Sequence, residues 1–271
     1  MPQTWHYGLI AEWWAEFNTD GPEIDYFGRF VERGQPALDA GCGTGRLLLP
    51  WLRAGLDVDG CDVSSDMIAL ARERASREGF EPTLFVQPLH ELAPPRRYRT
   101  VVVCGVFGLG STRREDEQAL ARLHESLEPG GMLLLDNQAP YSYGKRWSQW
   151  TAEGRRSLPE PWPPPGERRR GSDGSEYALR ARAVELDPLD QTLLLEMRAA
   201  KWRDDGLVAE EEHAITIRMY FRDELLLMLE RVGFRDVEVR GGYADEEPTA
   251  EHEFLVFHAV RPACQDAQSA A

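Results

Sequence analysis

The sequence predicts an α/β protein, a doubly wound and mostly parallel sheet with an antiparallel β insertion after its fifth strand. Three observations carry that prediction. Apolar runs at residues 37–38, 58–63, 84–86, 101–104 and 132–135 alternate with helical patterns, the signature of parallel strands covered by helices on both faces. A glycine-rich turn, Gly41-Cys42-Gly43-Thr44-Gly45, stands directly after the first run, where the chain must bend from strand to helix. Three strand-like segments at 176–186, 192–203 and 207–220 then follow one another without a helix, separated by Asp187-Pro188-Leu189-Asp190 and Asp204-Asp205-Gly206. Both separators are good turns, so the three segments form a meander.

The elements between these strands are marked by their own chemistry. Residues 5–17 are aromatic and apolar at helical spacing. A helix over about 112–127 opens on Thr112-Arg113-Arg114-Glu115, a capping-box pattern, and stops at Pro129-Gly130-Gly131. Another runs over 223–232 to Gly233, after which 237–239 and 254–260 form a closing antiparallel pair. Residues 159–171 contain five prolines and Arg168-Arg169-Arg170, which predicts an extended, exposed and mobile segment. The resulting division is an α/β core at 1–139, a β-rich insertion at 140–220, completion of the core at 221–262 and a disordered tail at 263–271.

Alternation in the last strand of the meander places His213, Ile215, Ile217 and Met219 on a buried face and Glu212, Thr216, Arg218 and Tyr220 on the other. Arg180, Arg182, Arg198 and Arg218 share that second face. They form either a cationic wall toward an acidic substrate or, as surface charges more commonly do, pairs with Glu196 and Glu212.

The glycine turn and the strand after it define a ligand chemistry. Gly41, Gly43 and Gly45 give the room a backbone needs to bend and approach a ligand closely. Asp62, at the end of the second run, accepts hydrogen bonds from both hydroxyls of a ribose. Together they describe a site for an adenosine-bearing cofactor. A dinucleotide fingerprint reads G-x-G-x-x-G, whereas here Arg46 stands where its third glycine would fall, which disfavours a nicotinamide or flavin.

Residues 38–46, with Gly60-Cys61-Asp62-Val63-Ser64-Ser65-Asp66-Met67, resemble motif I and the acidic ribose motif of the class I S-adenosylmethionine-dependent methyltransferases, whose core is a Rossmann-like sheet. The similarity extends through 84–87, through Glu128-Pro129-Gly130-Gly131 and the strand after it, and through Val232-Gly233-Phe234. The resemblance implies S-adenosyl-L-methionine as cofactor and S-adenosyl-L-homocysteine as product. It further implies that Gly41, Cys42 and Gly43 line the methionine part and that Asp39 orders the turn. Asp62 would hold the ribose, Val63 and Met67 would flank the adenine, and Cys104, Gly105 and Phe107 would approach the sulfonium. Many relatives carry an acidic residue after the third strand to receive the adenine amino group; here Pro88 occupies that position, leaving Gln87 or the backbone at Leu89 as substitutes. The resemblance makes the first helix a cap over the cofactor, with Tyr7 and Trp13 or Trp14 near the methionine carboxylate, and the insertion a lid over the acceptor.

Methyl transfer is an in-line displacement in which the protein mainly aligns donor and acceptor and excludes water. Some amino-sugar N-methyltransferases of this architecture have a histidine shortly after the fourth strand, and residues 104–110 have none. His90, Tyr143 and His213 are the remaining candidates for a catalytic acid or base, His213 being better suited to a core position and His90, next to Glu91, equally suited to a surface loop. The four cysteines and six histidines show neither C-x-x-C nor H-E-x-x-H spacing, so reduced thiols and no metal are expected.

A formal net charge of −15 disfavours nucleic acid and anionic membrane as partners and leaves a small-molecule acceptor. No apolar run approaches the roughly 20 residues that span a bilayer, and no signal peptide is apparent, so a cytoplasmic protein is expected. The β insertion is the expected surface for a homodimer. The leading expectation is a methyltransferase acting on nitrogen or oxygen of a small molecule. Its alternatives are a non-catalytic cofactor-binding or assembly module and a nicotinamide-dependent oxidoreductase.

Overall fold

A computed structural model of the chain describes residues 4–142, 144–164 and 166–263. Helices α1 (Gly8–Phe17) and α2 (Pro22–Arg33) precede the first strand, β1 (Ala37–Ala40). The core continues through α3 (Leu48–Arg53), β2 (Val58–Asp62), α4 (Ser65–Arg77), β3 (Leu84–Val86), β4 (Tyr98–Val103), α5 (Arg113–Ser126) and β5 (Leu127–Gln138). Two short helices, α6 (Gly144–Ser148) and α7 (Ala152–Arg155), lead into β6 (Arg169–Arg170), β7 (Glu176–Asp187), β8 (Thr192–Arg203) and β9 (Gly206–Arg218). Helix α8 (Arg222–Val232) and strands β10 (Arg235–Gly241) and β11 (Phe254–Val260) complete the core.

The core sheet has seven strands in the order β10-β11-β5-β4-β1-β2-β3. Strands β1 to β5 pair in parallel, and β11 runs antiparallel to both β5 and β10. Side-chain alternation fills two apolar layers. Val101, Val103, Leu133 and Leu135 pack with α5 and α8 on one face, while Val102 and Leu134 pack with Phe27, Val31 and Trp51 of α2 and α3 on the other. Continuous apolar strands are what burial on both faces demands.

Helix limits follow the chemistry of their ends. The Thr112 hydroxyl accepts from the Glu115 amide and the Glu115 carboxylate receives the Thr112 N–H, a complete capping box. Gly233 ends α8 in the left-handed conformation at φ +109°, and Phe234 N–H reaches back to Leu229 O.

The insertion is a four-stranded antiparallel sheet ordered β6-β7-β8-β9, so the meander gains a short fourth strand from the proline-rich approach. Asp204 and Asp205 adopt positive φ in the β8–β9 turn. The sheet's inner face packs Met197, Ala199 and Ile215 against Trp5, Leu9 and Ile10. It is stitched to the loop after β4 by Gly110 N–H to Thr216 O at 2.9 Å and Arg218 N–H to Gly108 O at 2.8 Å.

Two expectations for the meander change. Tyr220 is buried, not exposed, because β9 ends at Arg218 and the chain turns into the core; its hydroxyl donates to Asp116 at 2.6 Å. The arginines do not form a common wall. Arg182 and Arg198 pair with Glu196 and Glu212, Arg180 lies 3.8 Å from Glu210, and all three pack over the Trp162 ring. Arg218 alone of the four lines the cleft described below.

Candidate active site

The sheet order reverses between β1 and β4, and a doubly wound sheet takes its ligand in the crevice at the carboxyl ends of such strands. Gly41 stands there at φ +93°, and a Cβ on it would meet Val106 Cγ2 at 2.5 Å, so only glycine lets the first turn lie against the segment after β4. Gly43 has no atom within 4 Å of where a Cβ would stand, and that space belongs to the cleft.

Asp62 ties the turn to the end of β2. Its Oδ2 accepts from Gly43 N–H at 2.9 Å and its Oδ1 from Ser64 N–H at 2.8 Å. Each oxygen keeps a further lone pair, the acceptor set that two vicinal hydroxyls require. Burial raises the Asp62 pKa, opposed by the amides of Ser64, Gly43 and Val63.

Two cavities meet at Gly41, Asp62, Val106, Phe107 and His6. The smaller is a slot of about 80 Å³ lined by Val63, Gln87, Leu89, His90, Ser111 and Asp116. The larger is a cleft of about 620 Å³ reached by Met67, Cys104, Gly105, Arg46, Trp14 and Asp136. Leu193, Leu195, Ile217 and Met219 of the insertion and its exit line the same cleft. Gln87 spends its carbonyl on Ala93 N–H at 3.0 Å, holding its own loop.

Several expected site residues lie elsewhere. Asp39 is buried behind the turn and lines neither cavity; its Oδ2 has no hydrogen-bond partner, and burial together with the Asp62 charge pushes its carboxyl up to about 7. The Cys42 side chain also points inward, its Sγ 3.0 Å from where a Cβ on Gly60 would stand, so only its backbone belongs to the turn. Gly45 serves packing, since a Cβ there would sit 3.1 Å from Leu49 Cγ.

Tyr7 lies outside the cavities and stacks on His213 at 3.8 Å. Trp13 packs on Phe17, and Trp14, a helical step away, is the tryptophan of that pair that faces the cleft. Of the three candidates for acid–base work, His90 lines the slot, with Nε2 3.7 Å from Glu91 and 3.8 Å from Glu115. His213 is buried beneath Tyr7, with Nδ1 2.9 Å from Trp5 O and Nε2 3.2 Å from Glu211. It pins the N-terminal arm to β9 and lines neither cavity. Tyr143 lies outside the described residues, as does the tail from 264 onward.

Three residues not singled out from the sequence enter the site. His6 lines both cavities and accepts from Trp5 Nε1 at 2.9 Å; burial pushes its imidazole down to about 4, so it is neutral at pH 7. Arg46 lines the cleft, paired with Glu23 of α2 and 3.7 Å from Cys104 Sγ. Asp136, near the end of β5, receives Gly105 N–H at 2.6 Å, Tyr243 O–H at 2.6 Å and Cys104 S–H at 3.1 Å. The aromatic run marked His6 only as part of an arm, and no spacing rule reaches from Asp136 to Tyr243.

The sequence profile of a methyltransferase domain matches residues 37–131, which span the turn, Asp62 and both strands of the crevice. Residues 37–131 of the chain form a methyltransferase domain. A protein of Geobacillus sp. (strain WCH70) with a provisional methyltransferase name is 28% identical over 145 residues, 50% of this chain and 58% of that relative. An S-adenosylmethionine-dependent methyltransferase structure from Clostridium acetobutylicum superposes with a TM-score of 0.70 at 13% identity, covering 93% of this methyltransferase and 96% of its own chain. The S-adenosylmethionine-bound structure of CalS10, an amino pentose methyltransferase from Micromonospora echinaspora, superposes with a TM-score of 0.62 at 19% identity, covering 96% and 99%. These neighbours share the fold. Among the described residues of the methyltransferase no helix is long and apolar enough to cross a membrane.

Proposed function

We propose that this methyltransferase methylates a small-molecule acceptor, on nitrogen or oxygen, inside the cleft roofed by the β insertion. The observation that carries the reading is the junction at Asp62: a narrow slot and a roofed cleft of about 620 Å³ open from the same carboxylate and the same glycine turn. That volume suits a small molecule better than a macromolecular surface. The amino pentose named for CalS10 is of the size this reading requires.

The residues fit the cofactor. Asp62 would hold the ribose hydroxyls, and Val63, Leu89 and Phe107 would enclose the adenine in the slot. Gly43, whose missing Cβ leaves space in the cleft, and the backbone at Cys104 and Gly105 would border the methionine part. Arg46 supplies a cation for a carboxylate at that end. S-adenosylmethionine, when bound, supplies a methyl group already activated on a sulfonium. The chain's own work is to align the acceptor with that group and keep water out, through Trp14 on one side and Leu193, Leu195 and Ile217 on the other.

The test is incubation of the full chain with S-adenosylmethionine carrying a labelled methyl group and fractionated cell extract, with products read by mass spectrometry. A labelled small molecule is expected, formed in parallel with S-adenosylhomocysteine. Label found only in protein or nucleic acid, or tight binding of a nicotinamide nucleotide in place of S-adenosylhomocysteine, would overturn the proposal.

A further inference from the structure

Asp136 is a buried carboxylate on the wall of the acceptor cleft, which Asp62 also lines. Three donors fix it: Gly105 N–H from the segment after β4, Cys104 S–H from the same segment, and Tyr243 O–H from the connection between β10 and β11. Three donors on two oxygens leave an unshared pair. Tyr243 is itself held between Tyr26, Phe27 and Phe254, so the phenol that orients the carboxylate is rigid. Neither expected histidine reaches this cleft, His90 lying in the slot and His213 under Tyr7.

We infer that Asp136 is a catalytic residue of this methyltransferase: it binds the acceptor's nucleophile as an ammonium ion and removes its proton. The inference rests on the proposed methyl transfer and goes further by choosing nitrogen over oxygen and naming the base. The choice follows from proton affinities. A carboxylate attracts an ammonium ion by charge and can take its proton once burial makes the carboxylate more basic, whereas an aliphatic hydroxyl offers no charge and holds its proton more tightly than an ammonium ion does. Burial does raise Asp136, opposed by the Tyr243, Gly105 and Cys104 donors and by the Arg46 charge. Tyr243 and Cys104, which donate to it, are both raised by burial and therefore neutral, Arg46 acts on it while also engaging Glu23, and Asp62, Arg146 and Arg218 line the same cleft.

The step balances. An N–H bond of the ammonium breaks and an O–H bond forms on Asp136, leaving the electron pair on nitrogen. That pair forms the N–CH₃ bond as the S–CH₃ pair stays with sulfur, and the proton on Asp136 leaves to water.

Sinefungin tests the inference without knowledge of the acceptor, because it carries an ammonium group where the donor bears its methyl. Calorimetric affinities of sinefungin and S-adenosylhomocysteine would be measured on the full chain, from about pH 5 to pH 8. The wild type is expected to favour sinefungin, with a preference that fades as the pH falls and Asp136 protonates. Asp136→Asn should reduce the ratio roughly tenfold or more and leave S-adenosylhomocysteine affinity unchanged. An equal ratio in wild type and variant would overturn the inference while sparing the proposed function. Loss of S-adenosylhomocysteine binding by the wild type would instead overturn the function itself. Should Asp136→Asn not fold, Tyr243→Phe decides: removal of the donor should shift the fading of the preference to higher pH, and an unmoved profile rejects the role.

Discussion

Asp62 concentrates more of the site than any other residue, since its two oxygens hold the Gly43 and Ser64 amides and also face the meeting point of both cavities. Asp62→Ala should therefore weaken S-adenosylhomocysteine binding about tenfold to a hundredfold, the cost of losing charge-assisted hydrogen bonds to the ribose. Unchanged calorimetric affinity would remove the ribose from this carboxylate. Arg46 carries a different load. Glu23 is 7% exposed and has Arg46 as its ion-pair partner, so Arg46→Ala strands a buried charge and should cost about 3–5 kcal/mol in urea unfolding. Gly41→Ala would force a Cβ onto Val106 at a backbone angle that L-residues avoid. The positions of Asp62 at the end of β2 and of Gly41 in the turn were legible in the sequence because motif spacing encodes them. Those of Arg46, His6 and Asp136 were not, because their partners Glu23, Thr4 with Trp5, and Tyr243 are set by packing.

Elements were read best where local chemistry closes on itself. The capping box of α5 needs only Thr112 and Glu115, and Thr112→Ala should lower stability by about 1 kcal/mol, read from a thermal or urea midpoint. The glycine end of α8 and the meander turns are equally local. Prediction by alternation failed at the end of β9, where Tyr220 leaves the sheet to meet Asp116 while Ser111 donates to the same carboxylate at 2.6 Å. Tyr220→Phe removes one of the two donors from a buried acid and should cost about 1–3 kcal/mol. That bond also fastens the insertion's exit to α5, as Asn137 Nδ2 fastens it to β5 by donating to Tyr220 O at 2.9 Å. The insertion is thus anchored on both sides of the crevice, and its strand count alone does not reveal this.

Across the whole molecule, two buried groups give opposite responses to acid. His6 falls from the ordinary 6.5 to about 4 on folding, so between those values the unfolded chain binds a proton that the folded chain refuses. Its contribution to stability is lost as the pH drops through that window. Asp39 rises from the ordinary 3.8 to about 7, so over its window the folded chain holds a proton that the unfolded chain releases, and stability is gained on acidification. The two offset each other across much of the same range. Asp39→Asn should accordingly stabilise the protein at about pH 7.5, with an advantage that shrinks toward about pH 4.5 in parallel melting curves. An advantage independent of pH would contradict the burial assigned to Asp39.

The order of strands and helices, the glycine turn, the acidic end of β2 and the presence of a β insertion were determined by the sequence alone. Each depends on neighbours in the chain, on a repeat of apolar residues or on a short motif whose spacing is itself the geometry. Which side chains face the cleft was decided only by tertiary structure. Trp14 and not Trp13 faces the cleft, His6 and not Tyr7 lines it, and Asp136 stands on its wall while His90 and His213 do not, because α1, the loop after β4 and the insertion approach one another from distant parts of the chain. Rotation of a helix by one residue, or the exit of a strand two residues earlier, reassigns a side chain from solvent to site, and that rotation is fixed by packing rather than by local sequence.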